Sequence, residues 1–593
     1  MDQNDLSISI FHHHMNYIYF KIQETLTNNI KSTLQQLSFP TDIRVETPPD
    51  PKLGDFSFPC FSLCKVSKKS PNDTAKHIAE KLQKNRFIKN INVQGGYINF
   101  TIDECQLIQE TIHSILNLKE NYGKLKRKDQ KVIVEHTSAN PNGPLHVGRA
   151  RNPIIGDTIS RLVQAAGYDC ESQFYLDDLG KQVAILCWGL NNIKDSDIPK
   201  TSVSKPDHQA VGYYQKANEM MTNERSIEEE INSIVKKSEH GDKKTLSMIE
   251  QAYKPVLEGM NESLARVNIT IDRYVPESTF VQDRSVENVI QTLKKTSHCY
   301  EEDGAFYLDL ESFGIQGRNT KFFITRRDGT SLYATRDIAY HAWKSTQADL
   351  LINVLGEDHK LESKQVEIGL TLLNETKLPK PVFYSFVSLP EGKMSTRKGR
   401  VVYLDDLIDE CIERAYQEVK KRRGSEFSET EMRRIAEQIG SGAIRYNIIK
   451  VQPEKDMVFT WEEALNFEGN AAPFIQYAHA RASGIIKKDE TEISYDKKRS
   501  YSILQHPSEI QLVKKLSMFP VIIDEAAKSF RPHLIASYVF EIAALFNQFY
   551  RDCPVIIEED QDMKIARLGL VQATKQVLKN GLELLGIDAL EEM

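Results

Sequence analysis

Four short stretches hold the side chains able to do chemistry. The first is His146-Val147-Gly148-Arg149, reached through the turn-rich run Ser138-Ala139-Asn140-Pro141-Asn142-Gly143-Pro144. An imidazole and a glycine where a loop enters a helix suit an anionic ligand, because the backbone N–H groups there are free and glycine admits close approach. The second, Lys393-Met394-Ser395-Thr396-Arg397-Lys398-Gly399, is a basic loop 245 residues beyond Gly148. Such a loop suits a reaction in which negative charge grows on a phosphate leaving group and must be neutralised. The third, Thr330-Ser331-Leu332-Tyr333-Ala334-Thr335-Arg336-Asp337, places an aromatic and an acid four residues apart, on one side of a helix. The fourth, Gly356-Glu357-Asp358-His359, follows an apolar run. It therefore falls at the carboxyl end of an expected strand, where open α/β sheets bind ligands.

The elements that must position these groups are legible around them. Val132, Ile133 and Val134 form a β-branched run typical of a buried parallel strand. A helical period opens at Gly148, with Ile154, Ile155, Ile159, Leu162 and Val163 on one apolar face. After the Gly167-Tyr168 break a second strand is expected over 172–176, leading into Asp177-Asp178. Strand, loop, helix and strand make the βαβ unit of a nucleotide-binding sheet. Sheet elements are expected to resume around Phe306-Tyr307-Leu308, over 321–325 and over 350–355.

Length and composition narrow the class. A chain of 593 residues should form several domains, and 40% hydrophobic content suffices for real cores. A net charge of −7 means that any nucleic-acid surface must be local. The eight cysteines include no Cys-x-x-Cys pair, so neither a zinc ribbon nor a disulfide framework is indicated. No apolar run approaches the ~18 residues of a membrane span, and the N-terminus lacks the basic-then-apolar pattern of a secretory signal. A reduced, cytoplasmic protein without a membrane partner is expected. His12-His13-His14 reads as a polar segment, and no metal site is expected.

Flanking regions carry their own signals. A helix is expected through Ile22, Leu26, Ile30, Leu34 and Leu37, followed by the rigid turn Pro48-Pro49-Asp50-Pro51. Between Lys65 and Lys89 eight basic residues stand against two acids, and Gln94-Gly95-Gly96-Tyr97-Ile98-Asn99-Phe100 reads as a turn entering a strand. Basic residues beside an aromatic and amides are the makeup of a base-stacking surface. Lys124 to Lys128 looks like a linker. From about 190 to 276 the chain is polar and helical, an insertion in the sheet. Trp461, Leu465 and Phe467 lead into Phe474-Ile475-Gln476-Tyr477-Ala478-His479-Ala480-Arg481, and a last set carries Leu534, Tyr538, Ile542, Leu545 and Phe549. This final region is expected to be a helical bundle.

The first and second stretches together resemble the paired signatures of class I aminoacyl-tRNA synthetases, His-Ile-Gly-His and Lys-Met-Ser-Lys-Ser. With Pro-Pro-Asp-Pro-Lys-Leu-Gly-Asp, Gly-Gly-Tyr-Ile-Asn-Phe and Gln-Tyr-Ala-His-Ala-Arg in order, essentially the whole chain resembles the arginyl-tRNA synthetase family. The resemblance implies an α/β fold: a Rossmann-type parallel-sheet catalytic domain over 124–459 with the helical insertion. An N-terminal α/β appended domain over 1–123 and a C-terminal all-α bundle over 460–593 flank it. It implies ATP with Mg²⁺ as a substrate complex, no tightly bound cofactor, L-arginine and tRNA as partners, and a monomer.

By motif position, the resemblance assigns roles. Glu135, Tyr333 and Asp337 surround the arginine side chain, whose guanidinium wants carboxylates and an aromatic wall. Ser138 and Asn140 hold the amino acid's backbone end, and Glu357 joins this group. His146, Gly148, Arg149, Gly356, Asp358, His359, Lys393, Met394 and Ser395 bind ATP; of these His146, Gly148, Arg149 and Lys393 are catalytic, Lys393 steadying the leaving pyrophosphate. Gln94, Tyr97 and Asn99 would touch the tRNA D-loop, and Tyr477, Tyr550 and Met593 the anticodon loop. Arg149 replaces the second histidine of the first signature, and Thr396 the second lysine of the other. Some family members carry a substitute lysine three residues before the signature histidine; here that position is Gly143, consistent with Lys393 acting. A non-catalytic tRNA-binding paralogue is the alternative that Arg149 favours.

Overall fold

The computed structural model describes residues 17–593 except 84, 200–202, 318–319, 389–401 and 490–498. The triple histidine and Lys393, Met394 and Ser395 therefore lie outside the described residues.

The N-terminal region packs the helix Ile18–Gln36 and the helix Pro71–Ala79 with a three-stranded antiparallel sheet. Its strands are β1 (Phe56–Pro59), β2 (Ile88–Gln94) and β3 (Tyr97–Ile102), with β3 central. Ile22, Leu26, Ile30 and Leu34, at the helical spacing, close on Phe56, Phe58, Ile98 and Phe100 to form a core of their own.

The central region is built on a five-stranded parallel sheet. It begins with β4 (Lys131–Glu135), β5 (Asp169–Leu176) and β6 (Arg273–Pro276). Between β5 and β6 the chain makes helices Lys181–Asn192, Pro206–Asn223, Arg225–Glu239 and Lys243–Ala265. The insertion is helical, but its last residues return as β6 to the parallel sheet. Three further strands, β7 (Cys299–Glu302), β8 (Ala305–Asp309) and β9 (Lys321–Phe323), pair only with one another, antiparallel. Here the structure corrects the sequence reading: 306–308 and 321–325 do not rejoin the main sheet. Their inward side chains Leu308 and Phe322 cover Val286, Ile290, Leu293 and Ile338 beside it. The main sheet resumes with β10 (Leu350–Gly356) and β11 (Lys380–Tyr384).

The strand order is β11-β10-β4-β5-β6, all parallel. The chain starts in the middle at β4, runs outward through β5 and β6, then returns to the other side of β4. That reversal opens a crevice beyond the carboxyl ends of β4 and β10, the point at which doubly wound sheets bind ligands. Val132, Ile133 and Val134 are fully buried, as a strand covered on both faces requires. The helix Arg151–Ala165 starts at this crevice and is buried on nearly every side.

The C-terminal region comprises helices Ala472–Lys488, Pro507–Ser517, Phe519–Ser529, His533–Asp552 and Gln561–Leu584. Its apolar residues join those of the parallel sheet in one continuous core. Among the described residues, no helix is long and apolar enough to cross a membrane.

Candidate active site

β4 ends at Glu135, and the loop that follows is strained. Thr137 and Ser138 take φ of +72° and +38°, a left-handed conformation uncommon for any residue but glycine and most costly for the β-branched Thr137. Asn152, at the start of the following helix, holds that loop. Its Oδ1 accepts from the Thr137 N–H at 2.5 Å and its Nδ2 donates to the Val354 carbonyl of β10 at 2.9 Å. One side chain thus ties together the two strands that flank the crevice.

A cavity of about 310 Å³ occupies this crevice. Glu135, Ser138, Asn140, Tyr333 and Asp337 all line it, with Arg149, Gly356, Asp358 and His359 at another part of the wall. The acids inside differ in what neutralises them. Glu135 is buried and receives the Lys344 ammonium at 2.6 Å, with His341 Nε2 at 3.7 Å. Burial raises its carboxyl pKa most, but the Lys344 and His341 charges and the hydrogen bonds from Lys344 and Ser138 together outweigh that and hold it below the ordinary carboxylate range. Lys344 is itself fully buried and also donates to Asn353 Oδ1 at 2.7 Å.

Asp337 has no such partner. Its side chain makes no hydrogen bond or ion pair with any of the described residues, and its neighbour Arg336 turns away. The Arg336 guanidinium lies 2.8 Å from Glu277 and 3.5 Å from Glu239. Burial, together with Glu362, Glu277 and Glu135 nearby, raises the Asp337 pKa well above the ordinary range. Burial also lifts Glu277 to about 7 and Asp177 to about 6, in each case against the pull of Arg336. Asp177 Oδ1 and Glu277 Oε2 are buried without a hydrogen-bond partner among the described residues. A pocket with the unpaired Asp337 beside Asp177 on one wall, and the exposed Tyr333 ring next to them, has the chemistry to take a planar cation. Asp177, Glu277 and Glu362 escaped the sequence reading. Asp177 had a signal, the acid pair at the end of β5; Glu277 and Glu362 had none in local spacing.

A second cavity, of about 590 Å³, adjoins the first through Asn140, Arg149 and Phe386. His146, Gly148, Asn142, Gln182 and Tyr403 line it. Asn140 and Asn142 both donate to Gln182 Oε1, at 2.9 and 2.8 Å, which shapes the loop between the cavities. Gly148 sits in the short 3₁₀ turn Val147–Arg149, ahead of the helix. A Cβ there would meet no atom closer than the Val387 carbonyl at 3.9 Å, so open space lies against the backbone. Burial and the Arg149 charge push the His146 imidazole pKa down. Across the crevice, His359 pairs with Glu362 at 2.8 Å, which raises its pKa.

Other sequence candidates fall elsewhere. Glu357 lines neither cavity, and its carboxylate lies 3.8 Å from Lys360. In the N-terminal sheet Gln94 and Tyr97 are exposed, but Asn99 is buried and its Oδ1 accepts from Ser57 at 2.8 Å. The exposed partner of Tyr97 is instead Phe61, edge-to-face at 5.1 Å. At the C-terminal region, Tyr477 and Tyr550 share the Arg481 guanidinium, at 4.7 and 5.8 Å from their ring centres. Met593 is buried against a separate cluster with Tyr416 and Leu590, and its backbone oxygen accepts from Arg423 at 3.2 Å.

Comparison with known proteins matches the three-part architecture. Family models match in three blocks: the arginyl tRNA synthetase N-terminal domain over 21–102, the catalytic domain of class I (R) tRNA synthetases over 111–461, and the DALR anticodon binding domain over 475–593. The chain is 48% identical to the arginine–tRNA ligase of Methanocella arvoryzae, over 90% of this chain and 92% of that one. It is 40% identical to the corresponding ligase of Methanosarcina mazei, over 97% and 100%. Its fold is similar to that of Thermus thermophilus arginyl-tRNA synthetase, with a TM-score of 0.82, 27% identity, and coverage of 96% and 100%. By these matches and by its three-part architecture, the chain belongs to the arginyl-tRNA synthetase family.

Proposed function

We propose that this chain is an arginine–tRNA ligase that activates L-arginine with Mg²⁺-ATP and transfers it to the terminal ribose of tRNA. In the first step an arginine carboxylate oxygen attacks the α-phosphorus, the bond to the β-phosphate breaks, and pyrophosphate leaves. In the second, a hydroxyl of the terminal ribose attacks the arginyl carbonyl and AMP departs. Neither step needs a covalent enzyme intermediate, so the residues position and neutralise.

The observation that carries this reading is the unpartnered Asp337 at the switch point, among Asp177, Glu277 and Tyr333. In this reading these groups take the guanidinium, and Ser138 and Asn140 take the amino acid's backbone end. Glu135, already balanced by Lys344, contributes shape and a carboxylate oxygen rather than net charge. Glu357 remains a candidate only from motif position. His146, Gly148 and Arg149 meet the phosphates, Gly356, Asp358 and His359 the nucleoside, and Lys393, Met394 and Ser395 the leaving pyrophosphate. Mg²⁺ arrives with ATP and is held mainly by phosphates and water. Tyr97 and Gln94 meet the tRNA elbow, Tyr477 and Tyr550 the anticodon loop, with Asn99 and Met593 supporting from within. We place the enzyme in the cytoplasm as a monomer, with activation dependent on tRNA.

The test is charging of bulk tRNA with each labelled amino acid in turn. Charging with arginine alone is expected. Retained tRNA binding without charging by any amino acid would favour the non-catalytic paralogue, with Arg149→His the rescue to try.

A further inference from the structure

Tyr403 lines the phosphate-side cavity between the loop that carries His146 and the helical insertion. The backbone on either side of it pairs with the loop that carries His146: Leu404 N–H donates to the Leu145 carbonyl at 2.7 Å, and Val147 N–H to the Val402 carbonyl at 3.1 Å. Its half-buried ring lies 5.5 Å from the His146 ring on one side and 5.2 Å, edge-on, from His208 on the other. His146 is exposed and has no side-chain hydrogen bond among the described residues, and Tyr403 supplies its ring contact there.

Behind Tyr403 stands a buried polar cluster that the reaction does not otherwise use. Asp405 Oδ2 takes His208 Nε2 at 2.9 Å, Lys205 Nζ at 2.6 Å and Ser263 Oγ at 3.0 Å. Asp207 lies 3.3 Å from the same ammonium, so Lys205 supplies the cation that Asp207, His208 and Asp405 would otherwise invite. Lys205, His208 and Ser263 come from the helical insertion, whereas Tyr403 and Asp405 begin the helix Leu404–Arg423. The cluster thus fixes the His208 ring, and the His208 ring backs Tyr403.

We propose that Tyr403 is a positioning residue for His146, held in place by the His208–Asp405 pair. The proposal rests on the reading of His146 as a phosphate-side residue. An imidazole that must meet a transient charge loses most of its effect when it swings by an ångström. The insertion thereby contributes to activation through the Tyr403 ring as well as through the side chains it adds to the cavity wall.

The test uses the full chain with tRNA, arginine and Mg²⁺-ATP in pyrophosphate exchange. Tyr403→Leu is expected to lower kcat roughly tenfold to a hundredfold, with the arginine KM little changed. Tyr403→Phe, which keeps the ring, should regain most of that loss, and His208→Gln should fall between. His146→Ala separates the two claims. If it is fully active, the reading of His146 fails; if it is impaired while Tyr403→Leu matches the parent, the positioning role is overturned. Should Tyr403→Leu not fold, the ring-proton resonance of His146, assigned by its loss in His146→Ala, decides. A shift in His208→Gln at unchanged melting temperature supports the proposal, and an unmoved resonance overturns it.

Discussion

At the scale of the residue, the cavity we propose for the amino acid is defined by a carboxyl, Asp337, that the protein leaves without a partner among the described residues. Asp337→Asn keeps the shape but removes the ionisable carboxylate, so a guanidinium would sit buried without its partner. The expected loss in kcat/KM for arginine is on the order of a thousandfold, with ATP affinity nearly unchanged, read by exchange kinetics with each substrate varied. A parent-like arginine KM and kcat would remove Asp337 from the pocket. The pH dependence has a definite sign. Glu277, Asp177 and Asp337 have raised pKa values in the folded, unliganded protein, the first two at about 7 and about 6. The folded state therefore binds more protons than the unfolded chain, and the acids cost stability as pH rises through that window. A cation binds the ionised forms and removes that cost. Arginine should bind more tightly as pH rises from 6 to 8, release protons on binding, and raise the melting temperature more at about pH 8 than at about pH 6. Calorimetry in two buffers of different ionisation enthalpy checks the proton release. Glu135 follows the opposite rule: its lowered pKa contributes stability that is lost as pH falls through the acid range. Tyr333 and Asp337 were legible because helical spacing alone puts them on one face. Lys344 as the counter-charge of Glu135 was not, since a partner 209 residues away has no local signature.

At the scale of the element, strands were legible where their own composition decided burial and illegible where a partner did. The run Val132-Ile133-Val134 announces a strand covered on both faces, whatever its neighbours. Residues 306–308 and 321–323 are equally strand-like, yet nothing in them states which sheet they join; the hairpin register Tyr300↔Tyr307 and Tyr307↔Phe323 settles it. The hairpin of β2 and β3 shows the same limit at the surface we propose for tRNA. Alternation puts Tyr97 outward and Ile98 inward, but Asn99 is covered by β1, where Ser57 takes its side chain. The two positions should therefore fail differently. Tyr97→Ala or Phe61→Ala should weaken tRNA by about 1–3 kcal/mol if a base stacks on that pair, leaving the melting temperature intact. Asn99→Ala should instead cost about 1–3 kcal/mol of stability, from a buried hydroxyl left without its acceptor. Filter binding of tRNA beside thermal denaturation separates the two outcomes. A stability loss in Phe61→Ala with unchanged tRNA affinity would make the aromatic pair structural.

At the scale of the whole molecule, the helix Arg151–Ala165 links the site to the C-terminal region, and Arg445 is the clasp. Arg445 is fully buried on the helix Glu429–Ile449. Its guanidinium donates to Asp157 of the site helix at 2.5 Å, to the Val267 carbonyl ahead of β6 at 2.7 Å, and to the Leu585 carbonyl at 2.6 Å. Three regions of sequence thus meet on one cation, and the continuous apolar core around it makes the catalytic and C-terminal regions interdependent. Gly586 tests this clasp without removing a charge. It takes φ of +67°, and a Cβ there would lie 2.3 Å from the guanidinium, so Gly586→Ala both strains the backbone and displaces Arg445. Arg445→Met leaves Asp157 with Arg161 alone, at 2.8 Å on the half-buried side. The expected cost is about 3–5 kcal/mol for Arg445→Met, the usual result of stranding one member of a buried pair, and less for Gly586→Ala. Because the clasp holds Asp157, about a turn and a half along the same helix from Asn152, displacing Arg445 should also lower kcat for activation before the protein unfolds. Denaturant unfolding and exchange kinetics on Gly586→Ala, at a temperature where the variant is fully folded, read both effects. Parent-like kcat with reduced stability would confine Arg445 to holding the regions together and deny it any part in setting the site.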